Sequence, residues 1–123
     1  MASVITVGSD DVPPAPLTLT SRLVDGIAVI TISGLLDVTT RDQFADYLDQ
    51  AGPALFLDLA GVTFMDSRAL GLIVHHWQRA VTGGEKFALI GADYARVKVM
   101  WITGLAQRIP SYDTLDQALA ALA

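Results

Sequence analysis

An α/β layered fold, with a central mixed and mostly parallel sheet of four to five strands and about four helices, is predicted by three features of the chain. A strand pair around Asp25-Gly26 opens it, apolar runs then alternate with amphipathic helical stretches, and an apolar content of 52% asks for elements covered on both faces. The 123 residues suffice for one domain with its own core.

Residues 1–16 carry Asp10, Asp11, Pro13, Pro14 and Pro16 and read as a loosely ordered lead-in to a domain at 17–123. Strands are expected at 17–23 and 27–33, because Asp25-Gly26 between apolar runs is a hairpin signal, with Gly34 ending the second. Thr40-Arg41-Asp42-Gln43 reads as a capping box, opening a helix with Phe44, Tyr47 and Leu48 on one face that ends near Ala51-Gly52. Leu55-Phe56-Leu57, bounded by Pro53 and Asp58, suits a strand buried on both faces. Leu70, Ile73, Val74 and Trp77 recur at i, i+3, i+4 and i+7, the spacing of one helix face, and Gly83-Gly84 closes that helix. Ser67 falls just before the stripe, where an N-cap residue belongs.

Phe87-Ala88-Leu89-Ile90 gives another apolar strand. Asp93 is expected to cap a third helix, with Val97, Met100 and Trp101 on one face and Gly104 past its end. Thr114-Leu115-Asp116-Gln117 is a second capping box, opening a terminal helix with Leu115, Leu119 and Leu122 inward. Trp77 and Trp101 are expected between helices and sheet. No internal repeat or low-complexity segment is present.

Composition removes several function classes. The absence of cysteine excludes a disulfide framework and thiolate chemistry, and fits a reducing compartment. Thirteen acidic against eight basic residues leave a net charge of −5 without a basic stripe, which argues against nucleic acid as a partner. The N-terminus lacks a basic region followed by a long apolar core, and no apolar run approaches the roughly 20 residues of a membrane span. A soluble, cytoplasmic protein with no membrane partner is expected. His75 and His76 are neighbours, about 100° apart on a helix, so they do not form the i, i+4 pair of a helical metal site; no metal or other cofactor is expected. They also lie roughly 12 and 13.5 Å along the axis from Ser67, too far to act as its base, so a serine hydrolase is disfavoured. Gly83-Gly84 lacks the lysine and serine of a phosphate-binding loop.

In parallel α/β sheets, sites collect in the loops at the carboxyl ends of strands. Residues 34–40 and 60–67 form two such loops, and parallel neighbouring strands would bring Asp37 and Thr40 towards Asp66 and Ser67. Asp58 is expected to stabilise a turn, and Asp66 to form an Asx-type turn before the helix. A receiver-type phosphoaspartate at Asp66 lacks the clustered acids and late lysine it would need. Asp37 either starts the following helix or contacts a partner. Arg68 is either a solvated first-turn residue or a guanidinium that pairs with an anion. Ser67 is either a cap alone or a hydroxyl offered to another protein.

Three segments taken in order, Gly34-Leu35-Leu36-Asp37, Asp58-Leu59-Ala60-Gly61-Val62-Thr63-Phe64-Met65-Asp66-Ser67 and Thr103-Gly104-Leu105, resemble the STAS domain of bacterial anti-sigma-factor antagonists. The likeness runs from about residue 17 onward, and the segment ending at Ser67 is its most specific part. It implies that Ser67 is phosphorylated by an anti-sigma factor that is itself a serine kinase. Only the unphosphorylated antagonist would bind that kinase and displace the sigma factor, and a serine phosphatase acting on phospho-Ser67 would reset the switch. Asp37, Thr40, Asp66, Ser67 and Arg68 are the expected partner-binding residues, and no catalytic residue is expected. Two departures stand out: Leu35 replaces the glutamate usual in Gly-Glu-Leu-Asp, and Arg68-Ala69 follow the serine in place of a small residue and glycine. STAS-like domains also serve as regulatory subunits of transport complexes or signalling assemblies, which is the alternative role.

Overall fold

The computed structural model describes residues 15–122. Its first reversal is the expected hairpin: β1 (Leu17–Val24) and β2 (Ile27–Leu36) pair antiparallel about Asp25 and Gly26, at φ 53° and 81°. Two left-handed residues in succession are what a two-residue type I′ turn demands, and an aspartate followed by glycine meets that demand at low cost. There follow α1 (Arg41–Ala51), β3 (Leu55–Met65), α2 (Ser67–Gly83) and β4 (Phe87–Ile90). Then come α3 (Lys98–Ile102), α4 (Leu105–Arg108), β5 (Ser111–Tyr112) and α5 (Leu115–Leu122). The sheet order is β1-β2-β3-β4-β5, antiparallel only at the β1 edge.

Strand alternation divides the core between the two faces of this sheet. Ala28, Ile30, Ile32, Leu55, Leu57, Leu59, Phe87 and Leu89 share one cluster with Phe44 and Leu48 of α1, Leu70, Ile73 and Ala80 of α2, and Met100 of α3. Ile27, Val29, Phe56, Ala88 and Ile90 meet Ala118 of α5 on the other side, with Leu115, Leu119 and Leu122 partly buried against them. The central strands are thus apolar at consecutive positions because each face has its own cover. His76 is buried and joins the two helices of the first layer: one ring nitrogen lies 2.9 Å from the Leu72 carbonyl, the other 3.1 Å from Asp49 on α1.

Several expectations are corrected. β2 does not stop at Gly34 but continues to Leu36. Gly34 sits inside it at φ 109°, where a Cβ would come within 2.2 Å of the Pro16 carbonyl oxygen, and Pro16 accepts the Leu35 N–H at 2.8 Å. β3 likewise does not end at Asp58 but runs to Met65, its pairing with β2 resuming after irregularities at Thr31/Ser33 and Gly34/Leu35. Gly61 allows that close passage, since a Cβ there would stand 2.5 Å from the Ser33 hydroxyl and 3.0 Å from the Ile32 carbonyl. Asp93 caps no helix: its carbonyl accepts from Arg96 and Val97 in a turn, and α3 begins only at Lys98. Trp77 packs against the main core as expected, whereas Trp101 is exposed and donates its indole N–H to the Ala92 carbonyl at 2.9 Å.

The second capping box forms in part at α5, the Gln117 side chain turning to the residue before Thr114 rather than to Thr114 itself. Thr114 accepts from the Gln117 N–H at 3.2 Å, and the Gln117 side chain accepts from the Asp113 N–H at 3.1 Å. Gly84 closes α2 in a left-handed conformation, and Gly52 follows α1, both as expected. Most of the lead-in, residues 1–14, lies outside the described residues.

Candidate functional site

The parallel register of β2 and β3 sets two loops side by side. Leu35 pairs with Phe64 and Leu36 with Met65, so Asp37 and Asp66 leave adjacent strands at the same edge. The Asp66 N–H donates to the Leu36 carbonyl at 2.9 Å, extending the ladder to the first residue beyond β3. This is the carboxyl edge of the sheet, where α/β folds place their sites.

At the start of α2, Asp66 rather than Ser67 is the N-cap. Its backbone is extended (φ −94°, ψ 175°), its carboxylate accepts the Ala69 N–H at 2.9 Å, and its carbonyl receives the first helical bond from Leu70 at 3.1 Å. The expectation of a capping serine is therefore corrected by one position. An aspartate in the extended conformation directly before the helix takes the cap, since its carboxylate both satisfies a free N–H and suits the positive helix end. Ser67 becomes the first helical residue and is exposed, as is Arg68, while Ala69 is buried against the core. The buried site explains why a small residue stands two places after the serine.

The β2–α1 loop is closed on itself. Thr40 precedes α1 but makes no cap bond to it. Its hydroxyl donates to the Leu35 carbonyl at 2.8 Å and accepts the Asp37 N–H at 3.1 Å, and the Gln43 amide reaches the Leu17 carbonyl at 3.4 Å, so the first expected capping box is absent. The two groups that a box would use are already engaged within the loop, the Thr40 oxygen by the Asp37 N–H and the Thr40 N–H by the Asp37 carbonyl at 3.2 Å. Asp37 is held by Thr39, which donates both its hydroxyl and its N–H, the latter at 2.9 Å. Chiefly through the Thr39 hydroxyl, with smaller help from the Thr39 and Thr40 amides, the Asp37 carboxyl titrates below its ordinary value. Thr40 is 2% exposed. Its place in the expected partner surface is to hold the loop that presents Asp37, not to reach outward.

Asp37, Asp66, Ser67 and Arg68 are thus brought to one edge, flanked by apolar side chains that the sequence reading missed. Val38 is 60% and Phe64 51% exposed, beside Asp37 and Met65 respectively. Phe64 carries no signal of its own in the sequence, because it stands among Val62, Thr63 and Met65 as one more member of an apolar stretch. Arg41 was also missed; it lines a groove with Arg68, Gly71 and Leu72. Asp58 stays apart from this surface; it lies within β3, where its carboxylate accepts the Ala60 N–H at 3.0 Å at the irregularity in the pairing with β2, a strand position rather than the turn expected. Among the described residues no group of three or more metal-binding side chains is assembled, and no helix is long and apolar enough to cross a membrane. His76 is occupied by Asp49 and Leu72, so its ring is not set against Ser67.

A five-stranded mixed sheet with helices on both faces and a serine-bearing carboxyl edge defines a small domain of the α/β class. The STAS domain family matches residues 19–118, and the chain belongs to that family. An anti-sigma F factor antagonist of Paenibacillus polymyxa is 28% identical over 102 residues, covering 79% of this chain and 87% of that one. The crystal structure of an anti-sigma factor antagonist from Mycobacterium paratuberculosis superimposes with a TM-score of 0.77 at 27% identity, covering 89% and 97% of the two chains. The Bacillus cell fate determinant SpoIIAA in its phosphorylated form shares the fold, with a TM-score of 0.66 at 19% identity over 86% of this chain and 100% of that one.

Proposed function

We propose that the chain is a cytoplasmic anti-sigma-factor antagonist that works by partner switching, with Ser67 as the phosphoacceptor. The unphosphorylated form binds an anti-sigma serine kinase and releases the sigma factor; phosphorylation ends binding, and a serine phosphatase restores it. The observation that carries the reading is the position of Ser67, exposed as the first residue of α2 with the cap supplied by Asp66. The named relatives support the class of activity, since two of them are anti-sigma factor antagonists.

The physical basis is a difference between what the fold tolerates and what an interface tolerates. A phosphate adds about −1.5 to −2 charge at neutral pH. At the first turn of a helix that charge meets free N–H groups and the positive dipole end, worth roughly 0.3–1 kcal/mol, so the domain itself survives modification. At an interface the same phosphate, close to Asp66, would have to be stripped of water against a surface shaped for a neutral hydroxyl. A loss of about 2.8 kcal/mol is already roughly a hundredfold in affinity. In this reading Asp37, Asp66, Ser67 and Arg68 touch the partner, Val38 and Phe64 supply apolar area, and Thr40 fixes the loop.

The test is incubation with ATP and a co-encoded kinase of the anti-sigma type, followed by intact mass and peptide mapping. The reading expects one phosphate, on Ser67, and none on Ser67→Ala. No transfer, together with stable binding to a transport-complex subunit, would support the regulatory-subunit role instead.

A further inference from the structure

Three residues around one groove each stand where local helix physics disfavours them. Arg41 is the first residue of α1 and Arg68 the second of α2, so both guanidinium groups sit at the positive end of a helix dipole. Ion pairing gives little in return. Arg41 lies 3.6 Å from Asp42, whose side chain is 96% exposed, and Arg68 has no ion pair among the described residues. Gly71 lies in the first half of α2, where alanine would favour the helix, and nothing lies within 4 Å of the space its Cβ would take. Packing therefore does not require that glycine. These three residues and Leu72 line a single groove between α1 and α2, of about 490 Å³, next to Ser67. Two arginines from two elements thus meet at one opening in a chain of net charge −5. Local rules broken together at one place point to function rather than folding.

We propose that this groove is a carboxylate-docking site, in which an Asp or Glu side chain of the partner protein lies between Arg41 and Arg68. Planar guanidinium groups suit that ligand because each can offer two parallel N–H donors to a carboxylate. The absent side chain of Gly71 leaves the opening clear. The partner is the kinase of the antagonist reading, on which this part of the inference rests. Phosphate on Ser67 then acts twice: it competes within the chain for the Arg68 guanidinium and repels the incoming carboxylate. Arg68, the departure from the family pattern, thereby becomes a residue that sharpens the difference between the two states.

The test has two arms. In the first, the arginine side-chain N–H resonances of the full chain are followed while a blocked glutamate pentapeptide is added. The proposal expects Arg41 and Arg68 to shift more than the exposed Arg22 and Arg108 and to approach saturation; equal shifts at all four overturn it. In the second, the kinase that modifies Ser67 is titrated with wild type and with a chain carrying Arg41→Ala and Arg68→Ala. The double variant is expected to bind about tenfold more weakly at about 0.1 M salt, with the gap closing towards about 1 M as screening grows. Equal affinity and equal salt dependence overturn the groove even if Ser67 is still phosphorylated at saturating kinase. If no kinase modifies Ser67, the antagonist reading fails and the peptide arm alone decides the groove. Circular dichroism melting of the double variant is expected to match that of wild type, since both side chains are exposed.

Discussion

The starts of α1 and α2 follow neighbouring parallel strands, yet they spend their polar side chains in opposite directions. Before α1, the Thr40 hydroxyl turns back to the Leu35 carbonyl and the Asp37 N–H, and the helix begins without a side-chain cap. Before α2, the Asp66 carboxylate turns forward to the Ala69 N–H. One loop is sealed by a buried hydroxyl. The other is capped by a carboxylate, which leaves the next hydroxyl, on Ser67, exposed and without a capping duty. The fold can therefore keep the β2–α1 loop rigid while presenting a serine whose chemistry is decoupled from helix stability.

This contrast can be broken by substitution, and the largest effect is expected at Thr40. Thr40→Val removes the hydroxyl shared by two part-buried backbone groups and should cost about 1–3 kcal/mol, read as a lower urea midpoint, with Thr40→Ser recovering most of it. Asp66→Ala comes next, with the loss of a helix cap costing about 0.5–2 kcal/mol; Asp66→Asn should retain most of the stability. Ser67→Ala should change stability by no more than about 0.5 kcal/mol, the usual range for a surface substitution. A loss as large as that of Asp66→Ala would show that Ser67 still caps α2, and the contrast would fail.

The smallest effect concerns acid. Hydrogen bonds from Thr39 hold the Asp37 carboxyl below its ordinary value of 3.8. A carboxyl depressed in the folded state contributes its stabilisation above the unfolded value and loses it as pH falls through the folded one, so loop order at Asp37 should weaken only below about pH 4. Thr39→Val should move the Asp37 titration, followed by NMR, upward towards the ordinary range. No movement would mean that the Thr39 hydroxyl is not the main cause.

The legible parts of the fold are those set by local chemistry. Asp25-Gly26 can hardly be read otherwise, since both residues adopt the left-handed φ that a I′ turn needs. The Leu70, Ile73 and Trp77 stripe and the Thr114 cap on the Gln117 N–H are also settled within a few residues. The errors fall where a distant strand decides. Gly34 and Gly61 read as breakers in isolation, but they are the positions at which β2 accepts the approach of Pro16 and β3 passes close to Ser33. Both strands consequently run on past the glycine. Thr40 followed three residues later by Gln43 has the composition of a capping box, yet both side chains are drawn to carbonyls of β2 and of β1. Asp66 and Ser67 are both competent caps by type, and only the extended backbone of Asp66 decides between them. Of the site, the convergence of Asp37 and Asp66 followed from parallel pairing alone. The shared groove of Arg41 and Arg68 depends on how α1 and α2 pack, which no local pattern carries.

The central claim is that the state of the Ser67 hydroxyl controls binding while the domain stays folded. Its most direct test is the dissociation constant of the cognate kinase for the unmodified chain and for the chain quantitatively phosphorylated at Ser67, measured beside the thermal midpoint of each. The expected result is affinity weaker by roughly a hundredfold or more in the phosphorylated chain, with nearly equal midpoints. Equal affinities, or a loss of binding accompanied by unfolding of the phosphorylated domain, would contradict it.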